Sequence, residues 1–311
     1  MKELYEEISL SSLCKWFGIS RQAYYQHESS CSVQNFHHGL LLAEIKSIRS
    51  RHKRLGTRKL HSLLVPFMEA HDIKIGRDGL FDFLSFYGLL IRKRRRYVKT
   101  TYSFHWQRKY PNLITEFTPS RPNELWVSDI TYWKLGEQAV YLSLITDAYS
   151  RKILGYHLSS DLNAEQSIKA LKMALSGTGK RTIVSDQLIH HSDRGTQYCS
   201  SSYVGWLKRN HIDISMTQSG DPLENAIAER VNGIIKDEYL LNYPCKGIES
   251  ARKYLNKAVL LYNTERPHSS IGNFTPELVH NQSQLIKQED VKRLWKNYYK
   301  KNATFANRIQ D

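Results

Sequence analysis

The stretch LWVSDITYWKL, residues 125–135, constrains this chain most: a run of mainly apolar, β-branched and aromatic side chains is interrupted by one carboxylate, Asp129. Tryptophan, valine, isoleucine, threonine and tyrosine at that density favour a strand. Period-two alternation puts Asp129 on the face shared by Val127 and Thr131. A charge there is tolerated when it is paired or binds a metal ion. Two more strand-like runs follow, AVYLSLITDAYS and KILGYHLSS, with Gly136 and Ser150 at turn positions, so an antiparallel meander is expected. Next come a helix, NAEQSIKALKMAL, a strand leading into Asp193, a helix, SYVGWLKRN, a strand, DISMT, and a long helix from Pro222. Hairpin strands followed by alternating helices and strands predict a mixed α/β sheet.

Two other carboxylates raise the same problem. Asp193, in HHSDRGTQYCS, follows the apolar pair Leu188 and Ile189 and precedes a tight turn at Arg194, Gly195 and Thr196, which places it at the carboxyl end of a strand. In GDPLENAIAERVNGIIKDEYL, Asp221 is the expected N-cap, Pro222 the first helical residue and Glu224 the capping-box partner. Leu223, Ile227, Val231, Ile234 and Ile235 form the apolar stripe. Glu229 falls off that stripe, in line with Asn225, Asn232 and Lys236, and has no structural task in the pattern. Taken singly, each aspartate reads as a surface or capping residue. Taken together, two strand-borne aspartates and a helix-borne glutamate make an oxygen-only donor set, which suits Mg²⁺ better than zinc and could hold the two ions used in phosphoryl transfer. His157, His190 and His191 are expected in structural or DNA-contacting roles, and Asp147 as a turn cap. Cys14, Cys31, Cys199 and Cys245 show no C-x-x-C spacing, which argues against a disulfide framework or a zinc site.

The formal charge of +15 is uneven: between residues 41 and 110, Lys and Arg outnumber Asp and Glu by 17 to 5. Its densest part is RKRRRYVK, with Arg92, Lys93, Arg94, Arg95 and Arg96, and Tyr102, Phe104, Trp106 and Tyr110 follow it. Cations interleaved with aromatics suit phosphate tracking and base stacking. Upstream, SSLCKWFGISRQAYYQH reads as a helix-turn-helix: Gly18 stops the first helix, Ser20 caps the second, and Arg21 and Gln22 lie on the turns that would enter a major groove. A second helical unit is expected, with helices near 41–54, 57–69 and 77–87 broken at Gly56 and Gly88. No apolar run approaches the roughly 18 residues of a membrane span, and the opening residues lack a secretory signal, so a cytoplasmic protein is expected.

The segments WVSDITYW, YLSLITDAYSRKILGYHLS, HHSDRGTQYCS, SMTQSGDPLENAIAERVNGIIKDEYL and YNTERPHSSIGNFTPELV resemble successive blocks of bacterial insertion-sequence transposases with a retroviral-integrase-type core. The likeness is to the downstream-frame (OrfB) product of insertion sequence family three. It spans nearly the whole chain, and the 35 residues between Asp193 and Glu229 match that family's D, D, 35, E spacing. The departure is Glu224-Asn225-Ala226, where the family often has Asp-Asn-Ala. The resemblance implies an α/β, RNase H-like catalytic core at 112–280, preceded by all-α DNA-binding units at 1–38 and 39–111 and followed by a basic tail at 281–311. It further implies Asp129, Asp193 and Glu229 as catalytic, metal-holding residues with two Mg²⁺ or Mn²⁺. Lys236 would contact DNA backbone, and Arg194 is counted with it.

The expected partner is double-stranded DNA, both element ends and target, bound by a homo-oligomer in the cytoplasm at the nucleoid. An upstream-frame product would be a partner or fusion segment. A nuclease of the same fold that only hydrolyses, and a DNA-binding regulator with an inactive core, are the alternatives.

Overall fold

A computed structural model describes residues 7–91, 106–115, 117–178, 187–218, 225–241, 247–287, 289–290 and 293. The chain divides into two compact units, residues 1–51 with 60–90, and residues 52–59 with 91–311.

The first unit is helical. α1 (Leu10–Trp16) is capped by Ser9, whose hydroxyl accepts from the Ser12 amide. It stops at Gly18, which takes a left-handed φ of 66° while the Ile19 amide returns to the Cys14 carbonyl. Ser20 then caps α2 (Arg21–Arg51), its hydroxyl accepting from the Ala23 amide at 3.0 Å. The start of this unit follows the expected helix, turn, helix. The next step does not: the helix beginning at Arg21 and the one expected over 41–54 are a single helix of 31 residues. The anticipated boundary between residues 38 and 39 falls inside it. Gly39 alone does not break a helix, and Leu41, Ile45 and Ile48 carry the buried stripe straight on. α3 (Thr57–Ala70) and α4 (Arg77–Phe86) agree closely with expectation, and Gly88 ends the second with φ 65°.

The second unit is built on a five-stranded sheet. β1 (Leu125–Leu135), β2 (Gln138–Asp147) and β3 (Ile153–Ser159) form the antiparallel meander. β4 (Ile189–Ser192) runs parallel to β1, and β5 (Asp213–Met216) parallel to β4, in the order β3-β2-β1-β4-β5. This is the mixed sheet of an RNase H-like core. α5 (Ala164–Thr178), α6 (Thr196–Cys199) and α7 (Ser201–Arg209) join one core with Trp126, Ile145, Leu188 and Ile214. α8 (Ala226–Ile234), the π-helical turn Ile235–Leu240 that continues it, and α9 (Ile248–Thr264) pack with Leu142, Leu144 and Leu158 in another. α10 (Pro276–Asn281) closes the described fold beside Tyr149.

Asp147 is fully buried and caps the β2–β3 turn. One of its oxygens accepts from both the Ser150 amide and hydroxyl at 2.7 Å, and the other from the Asn123 amide at 2.7 Å. Burial raises its pKa, but His280 and these backbone donors outweigh burial and hold the carboxyl below its ordinary range.

Gly155 in β3 lies against α5 so closely that a Cβ would run into the Ala170 carbonyl oxygen and the Ala174 amide. Since neither backbone atom can turn away, Gly155→Ala is expected to destabilise the protein by about 2–3 kcal/mol in urea denaturation, the upper range for overpacking.

Candidate active site

β1 and β4 lie side by side with Ser128 opposite Ser192, so the residues that follow, Asp129 and Asp193, leave adjacent parallel strands together. Hydrogen bonds fix each carboxylate locally. Asp129 Oδ1 accepts from the Ile130 amide at 2.9 Å, and Asp193 Oδ1 from the Gly195 amide at 3.0 Å. The second bond closes the tight turn that starts α6.

Glu229 reaches the same region from α8, which is tied to β1 by two asparagines. Asn225 Nδ2 donates to the Ser128 carbonyl at 2.8 Å, and Asn232 Nδ2 donates to Asp129 Oδ2 at 2.7 Å. The two flank Glu229 on one side of the helix, one turn before and one turn after it. Helical spacing puts both beside Glu229, but nothing in the sequence shows what they bind. Among the described residues neither Oδ1 of these buried side chains has a hydrogen-bond partner.

Asp129 keeps part of its surface open, yet the surrounding protein strips water from its carboxyl. That desolvation, and then the charge of Asp193, push its pKa up to about 8; the Asn232 hydrogen bond opposes the rise and the Glu229 charge adds to it. The three acids from β1, the end of β4 and α8 therefore share one electrostatic neighbourhood. Among the described residues no three Asp, Glu, His or Cys side chains are gathered tightly enough to enclose a single ion, and Glu229 stays exposed. The fit to divalent cations rests on donor chemistry: oxygen ligands only, with mutual repulsion that a cation would relieve. Beside Asp193 a cavity of ~130 Å³ opens, lined by Thr131, Tyr132, Tyr141, Gln197 and Tyr198 among others.

The histidines are structural. His190 and His191 are buried; His190 Nε2 hydrogen-bonds with Ser128 and Tyr203 hydroxyls at 2.7 and 2.9 Å, and His191 Nδ1 with that of Ser215 at 2.8 Å. His157 is half-buried against Gln166.

Arg21 and Gln22 lie exposed on the first turn of α2. Arg194 is partly buried beside Asp193, and Lys236 sits on the π turn with its Nζ 3.9 Å from the centre of the Tyr132 ring. Arg92, Lys93, Arg94, Arg95 and Arg96 lie outside the described residues, as do Asp221, Pro222 and Glu224 of the expected capping box. The described helix starts at Ala226, with Asn225 in the cap position and no side-chain cap bond.

Comparison with known proteins identifies the family of the chain. Residues 119–222 and 210–276 each match a family model described as integrase core domain. The 31 kDa protein of insertion element IS600 from Shigella sonnei is 34% identical over 269 residues, covering 85% of this chain and 96% of that one. The transposase InsF for insertion sequence IS3fB of Escherichia coli K12 is 33% identical, covering 63% of this chain and 67% of that one. Among solved structures, the HTLV-2 integrase catalytic core domain in complex with magnesium matches with a TM-score of 0.41 and 23% identity, over 51% of this chain and 97% of that chain. The chain belongs to the bacterial insertion-sequence transposases of family three, and its integrase core makes it an enzyme of the polynucleotidyl-transferase class.

Proposed function

We propose that this transposase cuts a DNA strand at the end of its element and joins the freed 3′-hydroxyl to a second duplex, with Asp129, Asp193 and Glu229 as the catalytic carboxylates. The observation that carries this reading is Asp129: an acid in a central strand whose pKa is driven to about 8 by burial, by Asp193 and by Glu229 has been placed against its own electrostatics. Such placement is a cost for the fold and a benefit for cation binding.

The three carboxylates would hold two Mg²⁺ or Mn²⁺, which when bound would activate the attacking oxygen and stabilise the leaving one. The protein's own part is positional. Asn232 orients Asp129, the Gly195 amide orients Asp193, and Asn225 ties the helix bearing Glu229 to β1. In each step one P–O bond forms to water or to the 3′-hydroxyl and one P–O bond breaks to a departing 3′-oxygen, with no covalent protein intermediate. Arg21 and Gln22 would read element ends, Arg92 to Arg96, Arg194 and Lys236 would hold phosphate, and the chain would act on DNA as a homo-oligomer, with or without an upstream-frame partner. The enzyme would work in the cytoplasm at the nucleoid; among the described residues no helix is long and apolar enough to cross a membrane.

Asp129→Asn, Asp193→Asn and Glu229→Gln are each expected to abolish cleavage and joining of labelled element ends in Mg²⁺ while DNA affinity in Ca²⁺ stays within about twofold. Glu224→Gln, at a residue ahead of the helix that starts at Ala226, is expected to keep catalysis. A dead Glu224→Gln beside an active Glu229→Gln would refute the assignment.

The acid's raised pKa also has a stability consequence. Folded Asp129 keeps its proton up to about pH 8, whereas the unfolded chain releases it near the ordinary carboxylate value. The unfolded state therefore binds fewer protons in that window, and this group's contribution falls as pH rises from about 4 to 8. Melting the metal-free protein across that range should show Asp129→Asn gaining on the parent by an amount on the order of a few kcal/mol, then levelling above pH 8. A constant difference would mean that Asp129 ionises normally.

A further inference from the structure

Away from the carboxylates, the second unit carries a surface where aromatic rings, not acids, hold the cations. Lys172 of α5 places its Nζ 4.5 Å from the centre of the Trp206 ring of α7, and the Arg209 guanidinium lies 5.3 Å from the same centre. Tyr110 stands between Arg108 at 5.3 Å and Lys208 at 5.9 Å. All four cations are exposed, and both rings are half-buried against the core shared by α5, α7 and the sheet. Among the described residues none of the four makes a salt bridge.

Leaving like charges unneutralised on one face works against the compact state and favours a polyanion. The rings matter because free lysine and arginine side chains lose rotamer freedom when they grip a ligand; cation–π contacts hold them in place beforehand. The surface also adjoins the reaction site. The Pro111 carbonyl, next to Tyr110, accepts from the Met216 amide at 3.2 Å, and Met216 pairs with Ser192, the residue before Asp193.

We propose that Arg108, Lys172, Lys208 and Arg209, steadied by Tyr110 and Trp206, form a DNA-holding surface that grips the sugar–phosphate backbone of the duplex leading away from the reacting phosphodiester. The proposal rests on DNA being the substrate, and it locates a contact that neither the helical unit nor the carboxylates supply. A second copy of the chain is the poorer occupant, because a two-fold contact through this face would set like charges against each other.

The test uses the full chain with Arg108, Lys172, Lys208 and Arg209 all changed to Gln, titrated by fluorescence anisotropy against a labelled element-end duplex and a random duplex of equal length, in Ca²⁺, over a series of salt concentrations. The expected result is an equal loss of affinity for both duplexes, with the plot of log affinity against log salt shallower by about 0.9 for each phosphate contact removed. The melting temperature should not fall appreciably, since the substituted side chains are exposed and relief of like-charge repulsion offsets the lost ring contacts. A slope and affinity equal to those of the parent would overturn the proposal. So would an unchanged slope with lost self-association in sedimentation, which would assign the face to contact between copies. Failure of the catalytic reading looks different: Asp129→Asn would still cut and join, while the salt slope of the fourfold variant would be free to change.

Discussion

A carboxylate in the central strand of a sheet is the constraint from which the catalytic unit is arranged. β1 is paired along its length with β2 and at its start with β4, so Asp129 cannot swing out to solvent without breaking a ladder. The surrounding protein strips water from the carboxyl, and among the described residues two short donors reach it, the Ile130 amide and Asn232. Both stabilise the charged form, yet burial and the Asp193 charge outweigh them. The parallel β1–β4 pairing follows from the same need, since it brings a second carboxylate to the same end of the sheet. α8 then has to lie against β1 for Glu229 to reach the pair, and Asn225 and Asn232 fasten it there.

The helix that carries Glu229 is secured further along by an ion pair with one partner fully buried and the other partly so. Arg266 is fully buried and makes two 2.7 Å bonds to Glu238 on the π turn that continues α8. Burial alone would lower its pKa; Glu238 more than compensates and holds it above the ordinary value. Next along the turn, the Tyr239 hydroxyl bonds His52 at 3.0 Å. Swapping such a pair for apolar residues can be neutral, but leaving one partner alone in the core costs about 3–5 kcal/mol. The pair fixes the register of the segment beyond Glu229 at a place where the helix widens from α to π geometry, and π turns often occur next to working sites.

What the sequence disclosed follows from which signals are local. The meander was legible because Gly136 and Ser150 punctuate three runs of strand-forming residues; Asp129 stood out because it interrupts an apolar run, Asp193 because it follows one at a strand's end, and Glu229 because it falls off its helix's apolar stripe with no structural task. The length of α2 was not legible: the stop signals near Gly39 are weak, and burial of Leu41, Ile45 and Ile48 decides the matter. Asn225 and Asn232 were visible only as neighbours of Glu229, because their partners lie about a hundred residues earlier in the chain. Glu238, Arg266 and Trp206 lie in segments that the sequence marks, but nothing local to them shows what each binds. Each gains its part through a contact between segments remote in sequence: Arg266 with Glu238, and Lys172 with Trp206.

The histidines next to Asp193 show why burial alone does not make a site. His190 is two residues from the N-terminal side of the strand's end, and its sequence position invites the part of a general base. In the fold, desolvation and then His191 lower its pKa to about 3, while its Nε2 is occupied by Ser128 and Tyr203. A base that weak has almost no driving force to take a proton near neutral pH. Burial penalises charge of either sign, so the physics that keeps His190 neutral also keeps a proton on Asp129. The difference lies in what surrounds them. His190 sits among hydroxyls and a second imidazole, which are satisfied by a neutral ring. Asp129 sits among other carboxylates and is open on one side, where only a positive partner can reverse its state.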